Sequence, residues 1–98
     1  MVELEWIGDQ FKQAIGSYYE ASPGSVKMYP ASLQALIEDR RYLTMRRHLR
    51  RIYVNPFTGK VDWELITGVD GQVHGVRASV PLEPRSMSKE FVYDPAVR

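Results

Sequence analysis

The stretch Glu3–Glu20, ELEWIGDQFKQAIGSYYE, decides the fold. Leu4, Ile7, Phe11, Ala14, Ile15 and Tyr18 recur at steps of three and four. That spacing lays one apolar stripe along an α-helix of roughly 17 residues, about 25 Å long. Glu5, Asp9, Gln10, Lys12 and Gln13 mostly fall on the other side, where water would cover them. A helix this short is marginal alone, so its stripe must be buried against later parts of the chain. The helical pattern also begins at the first residues with no capping signal, as in the lower part of a longer helix.

Working outward, the pattern stops at ASPGS (21–25), where Pro23 and Gly24 mark a break, and a loop runs to Met28. Tyr29 and Pro30 lead into ASLQALIED (31–39). Ser32 is the expected N-cap of a short second helix, with Leu33, Leu36 and Ile37 as its apolar edge. In RRYLTMRRHLRRIY (40–53), Tyr42, Met45, Leu49, Ile52 and Tyr53 form a loose helical stripe with arginines outside, which predicts a partly helical connector. NPFTG (55–59) is a turn, initiated by Asn55 and Pro56, with Gly59 free to take positive φ.

Alternation follows. Val61, Trp63 and Leu65 point one way, and Asp62 and Glu64 the other, as in a half-buried strand. GVDGQ (68–72) supplies a turn, and VHGVRASV (73–80) returns as a second antiparallel strand in which Gly75 marks weakness or a bulge. Pro81 and Pro84 end that pairing. Phe91, Val92 and Tyr93 make a third short strand or an apolar segment closing over the sheet. The order of elements predicts an α+β fold with a long N-terminal amphipathic helix packed on a small antiparallel sheet. One domain is expected over 1–98: helix 1–20, short helix and connector 21–60, meander and C-terminal segment 61–98. The expected core sets Leu4, Ile7, Phe11, Ile15 and Tyr18 against Leu33, Leu36, Trp63, Leu65 and Val76.

Composition bounds the chemistry. A chain of 98 residues, 44% hydrophobic and 26% charged, suits one small domain with its own core. It has no cysteine, hence no disulfide framework and no thiolate metal site. No apolar run reaches the ~18 residues that suggest a membrane span. The formal net charge is +1, yet six of the 13 basic residues (Arg40, Arg41, Arg46, Arg47, Arg50, Arg51) fall in an acid-free run. The rest of the chain is net acidic.

His48 and His74 have no Cys or His partner at metal-ligand spacing. His74 with Asp70 and Ser79 is no more than a fragment of a triad and is taken as polar surface. Gly68, Gly71 and Gly75 surround a hairpin turn and open no helix, so no phosphate loop is present. Asp62, Glu64 and Asp70 lack the dense acidic spacing of a calcium loop, and no metal or cofactor is expected. No catalytic residues are assigned, and an enzyme is not expected. The arginine cluster is therefore the candidate partner-contact surface. It would meet an acidic protein face, nucleic-acid phosphates or anionic lipid heads, or else pair with Glu38 and Asp39 as a solvated face. Nucleic acid is not the expected partner, because the basic residues are confined to one strip of a net acidic chain. The tyrosines at 18, 19, 29, 42 and 53 are expected to pack between helix and connector.

A helix ending in IGSYYE (15–20), a loop, YPASLQALI (29–37), YVNPFTG (53–59), Trp63 and GVDG (68–71) together resemble a known family. The order and spacing are similar to the head of a type II secretion pseudopilin of the major-pseudopilin class, over about residues 7 to 75. Asn55 stands where that family's turn has Asp, no late acidic calcium loop follows Asp70, and the arginine run is unusual. The resemblance implies a structural subunit of a pseudopilus, or of a related pilin-like fibre, taking part in protein secretion. It implies other pseudopilin subunits as partners through the N-terminal helix. It also implies a periplasmic head anchored in the inner membrane by an N-terminal segment absent from this sequence. The alternative is a small module that binds nucleic acid or another anionic ligand along Arg40–Arg51.

Overall fold

A computed structural model describes residues 2–23, 26–41, 46–80 and 87–95. Helix α1 spans Val2–Glu20. Its stripe of Leu4, Ile7, Phe11, Ala14, Ile15 and Tyr18 is buried, while Glu3, Glu5, Asp9, Lys12 and Gln13 are exposed. Each fully buried aliphatic or aromatic side chain of that stripe contributes about 1.5–3 kcal/mol. No helix among the described residues is long and apolar enough to cross a membrane.

The sheet beneath α1 has three antiparallel strands in the order β1 (Glu64–Thr67), β2 (Val73–Val80) and β3 (Met87–Val92). The fold is α+β. Val76, Ala78 and Val80 alternate along β2 on the face that α1 covers, and Phe91 joins them from β3 opposite Val76. On the other face Arg77 lies between two acids, Glu64 at 3.1 Å and Glu90 at 2.6 Å. Gly68–Gln72 turns as expected, with Gly71 at φ +75°. Register slips between Ile66 and Thr67, leaving His74 as an extra residue on β2 beside Gly75. A side chain at Gly75 would strike the Phe91 carbonyl and Val92. The bulge and the close approach therefore fall together.

Two glycines of α1 have a packing role. The Phe91 ring lies where a Cβ at Gly8 would be, and the Tyr93 ring lies 2.6 Å from the same point at Gly16. Glycine in a helix interior costs about 1 kcal/mol relative to alanine. Here it admits two aromatic rings onto the helix backbone.

Three expectations need correction. The second helix, α2, is a single turn, Gln34–Ile37, and Ser32 does not cap it. Leu33 holds the N-cap position at φ −68°, ψ −28°, already helical, so no extended residue is left to aim a hydroxyl back at the first turn. The connector is not helical over its described residues 46–53. Asp39 and Arg46 form an antiparallel bridge, and the N–H groups of His48 and Leu49 both donate to the Leu36 carbonyl, so they are spent outside any helical ladder. Tyr42 and Met45, like Gly24, Ser25, Pro81 and Pro84, lie outside the described residues. The strand expected from Val61 begins only at Glu64. Val61 and Leu65 are exposed, because α1 packs chiefly on β2 and β3 and leaves the β1 edge largely open. Trp63 alone of the three is buried, its indole N–H donating to the Tyr53 carbonyl at 2.6 Å.

The NPFTG turn forms as expected, with Gly59 at φ +70°. Asn55 is fully buried, donates from Nδ2 to the Ser79 carbonyl at 2.8 Å and accepts from Phe57 N–H at 3.0 Å. An aspartate carboxylate has no proton to give Ser79, so this environment suits asparagine.

Candidate functional site

The arginine strip runs beside the C-terminal half of α1 and up towards its first turns. Five of its six members, Arg40, Arg46, Arg47, Arg50 and Arg51, are exposed. Arg40 pairs with Glu38 at 3.2 Å, both in water, a contact of little energetic weight. Arg51 lies over the Tyr53 ring, 4.9 Å from its centroid.

Arg41 differs and does not belong to the outward surface. Its guanidinium turns inward over the Tyr18 ring, 3.6 Å from the centroid. It donates twice to Asp39, once to Ser22 Oγ and once to the Tyr18 carbonyl. That carbonyl belongs to the last turn of α1, where backbone oxygens lack helical partners and a cation is favourable. Lys27 does the same for the Glu20 carbonyl at 2.9 Å. Arg41 is thus a helix-terminating residue.

Asp39, with its side chain wholly buried, is the centre of this arrangement. Beyond Arg41, it accepts from His48 Nε2 at 2.8 Å. A carboxylate only accepts, so Nε2 carries a proton, which leaves Nδ1 as an acceptor in the neutral ring and a donor in the charged one. The Ser17 hydroxyl, which can either donate or accept, is hydrogen-bonded to His48 Nδ1 at 2.7 Å. The hydrogen bonds of Arg41 hold the Asp39 carboxyl well below the usual carboxylate range, with His48 adding to the effect against burial.

Serine, histidine and aspartate in this order are the parts of a nucleophilic relay. Ser17, however, lies inside α1, where neighbouring N–H groups are consumed by the helix ladder. None is left to receive a developing oxyanion. The Ser17–His48–Asp39 hydrogen bonds fasten the connector to the helix. The separation of the three residues in sequence gave no spacing signal, and His48 looked partnerless for that reason.

The remaining candidates stay apart. His74 lies 3.3 Å from Asp70, and its ring stacks on Tyr29 at 3.7 Å, but Ser79 is at the far end of β2. Tyr18 and Tyr53 do pack between helix and connector, whereas Tyr19 and Tyr29 cluster with Tyr93 at the lower end of the sheet. Glu64 is engaged by Arg77, and Asp70 accepts the Gln72 N–H, which lowers its pKa, so neither joins Asp62 in a shell. Among the described residues no group of three metal-ligating side chains converges. Adding a chelator should therefore leave the melting temperature unchanged. A fall that calcium restores would show that a site had been missed.

Comparison of the chain with family models, with curated proteins and with solved structures found no match in any of the three.

Proposed function

We propose that this chain is the head of a type II secretion pseudopilus subunit, or of a related pilin-like fibre, and that its task is assembly, not catalysis. The observation that carries the reading is α1 lying across a three-stranded antiparallel sheet, with the Tyr29-Pro30 and Asn55-Pro56 segments between them. That order accords with the resemblance in the sequence. In the full-length protein the head would be periplasmic, tethered to the inner membrane, with other pseudopilin subunits as its neighbours. The exposed arginines would then meet an acidic surface of a neighbour, where complementary charge favours register more than affinity.

Charge reversal tests this against the anionic-ligand alternative. In the full-length protein, Arg46→Glu with Arg47→Glu, and Arg50→Glu with Arg51→Glu, should impair secretion or fibre assembly while leaving the fold intact. The parent should bind DNA weakly at most, with binding gone near physiological salt, where the Debye length is about 8 Å. A nucleic-acid module would instead show log K falling by roughly 0.9 per phosphate contacted as log salt rises. Tight DNA binding at physiological salt, lost in the variants while secretion is untouched, would overturn the proposal.

A further inference from the structure

Two features lie at opposite ends of the domain. Beside the first turns of α1 opens a pocket of about 160 Å³, lined by Glu3, Ile7, Arg51, Ile52, Tyr53 and Val54. Ile7, Ile52, Tyr53 and Val54 supply its apolar surface, Glu3 and Arg51 its charged surface, and the exposed Trp6 ring meets Tyr53 edge-on at 5.6 Å. Arg51 has no carboxylate partner among the described residues.

At the other end, the β1–β2 turn presents Val69 entirely to water. A β-branched apolar residue is an unusual choice between two turn glycines, and no described residue covers it. Asp70 follows, its side chain partly exposed. The turn is stiffened by Gly71 N–H to Gly68 O and by Gln72 N–H to Asp70 Oδ1. It adjoins Tyr29, which packs on Tyr19 near the C-terminal end of α1. The pocket touches residues 3 and 7, so turn and pocket are separated by roughly 18–24 Å along the helix axis.

We propose that the hairpin tip of one copy seats in the pocket of the next, Val69 on the apolar surface and Asp70 against Arg51. The volume accommodates a valine side chain, and of the two charged lining residues, Glu3 and Arg51, it is Arg51 that offers Asp70 an opposite charge. Because the two surfaces differ and lie at opposite ends, the contact is head-to-tail, and repetition extends a filament instead of closing a dimer. This rests on the fibre reading and names the contact by which heads stack.

The absence of cysteine makes the test clean. In the 98-residue chain, Val54→Cys and Val69→Cys together are oxidised at high protein concentration. The two positions are too far apart within one copy for a disulfide, which needs Cα atoms within about 7 Å. The expected result is a ladder of disulfide-linked multimers, absent when Val69→Cys is paired with Ser88→Cys. Arg51→Glu should abolish the ladder, and Asp70→Arg added to it should restore the ladder. No ladder above the control pair, or dimers from Val54→Cys alone as abundant as those from the pair, would overturn the contact. A missing ladder with secretion still blocked by charge reversal removes only this contact. A ladder with secretion untouched leaves the contact and removes the fibre reading.

Discussion

Asp39→Ala is expected to destabilise the domain by about 3–5 kcal/mol, read from a denaturant midpoint shift at unchanged slope. The carboxylate anchors Arg41 and His48, so its loss leaves a largely buried cation and a buried imidazole without their acceptor. It also frees the connector from Ser17 and weakens the hold of Arg41 on the last turn of α1. The pH dependence follows from the depressed pKa of Asp39. Its contribution is complete above the unfolded carboxylate value of about 3.9 and is lost as pH falls towards the folded value. The parent should therefore lose stability below about pH 4, and Asp39→Ala should lose this part of the acid dependence. A variant as stable as the parent, or with the same acid limb, would remove Asp39 from its central place.

Phe11→Ala should cost a similar amount, about 3–5 kcal/mol. Phe11 is fully buried, edge-on to Trp63 at 4.9 Å and to Tyr53 at 6.4 Å. It joins helix, connector and the approach to β1, so the cavity left behind would border three segments that cannot all close on it. Thermal unfolding at neutral pH is the measurement. An unchanged midpoint would mean that the core is centred elsewhere.

The parts of this fold that are legible in the sequence are those governed by local period. Six apolar positions at helical spacing identify α1, the GVDGQ turn places β2 after it, and Gly59 and Gly71 sit where their turns require them. The edge strand shows the limit. Alternation at Val61, Trp63 and Leu65 indicates which residues share a face, but a covering layer decides whether that face is dry. The helix packs chiefly on β2 and β3. The connector misled for a related reason: its apolar spacing is compatible with a helix, yet the Leu36 carbonyl and Asp39 claim its donors from outside the segment. The arginine strip was visible as charge, but the inward turn of Arg41 was not. Its destination is a carbonyl 23 positions earlier, which no pattern within the run encodes.

The notches at Gly8 and Gly16 bear on how this domain would carry load. Advancing α1 by one residue means a shift of 1.5 Å and a rotation of about 100°. Either neighbour of each glycine would then present a side chain to the ring of Phe91 or Tyr93. Sliding is therefore blocked sterically at two points along the axis, in both directions, without any covalent tie. A push or pull applied to the helix would be transmitted to β3 as shear across two aromatic rings, and through the β2–β3 hydrogen bonds to the whole sheet. Helix and sheet would travel as one rigid body under axial force, and yielding would begin at the peripheral edge strand.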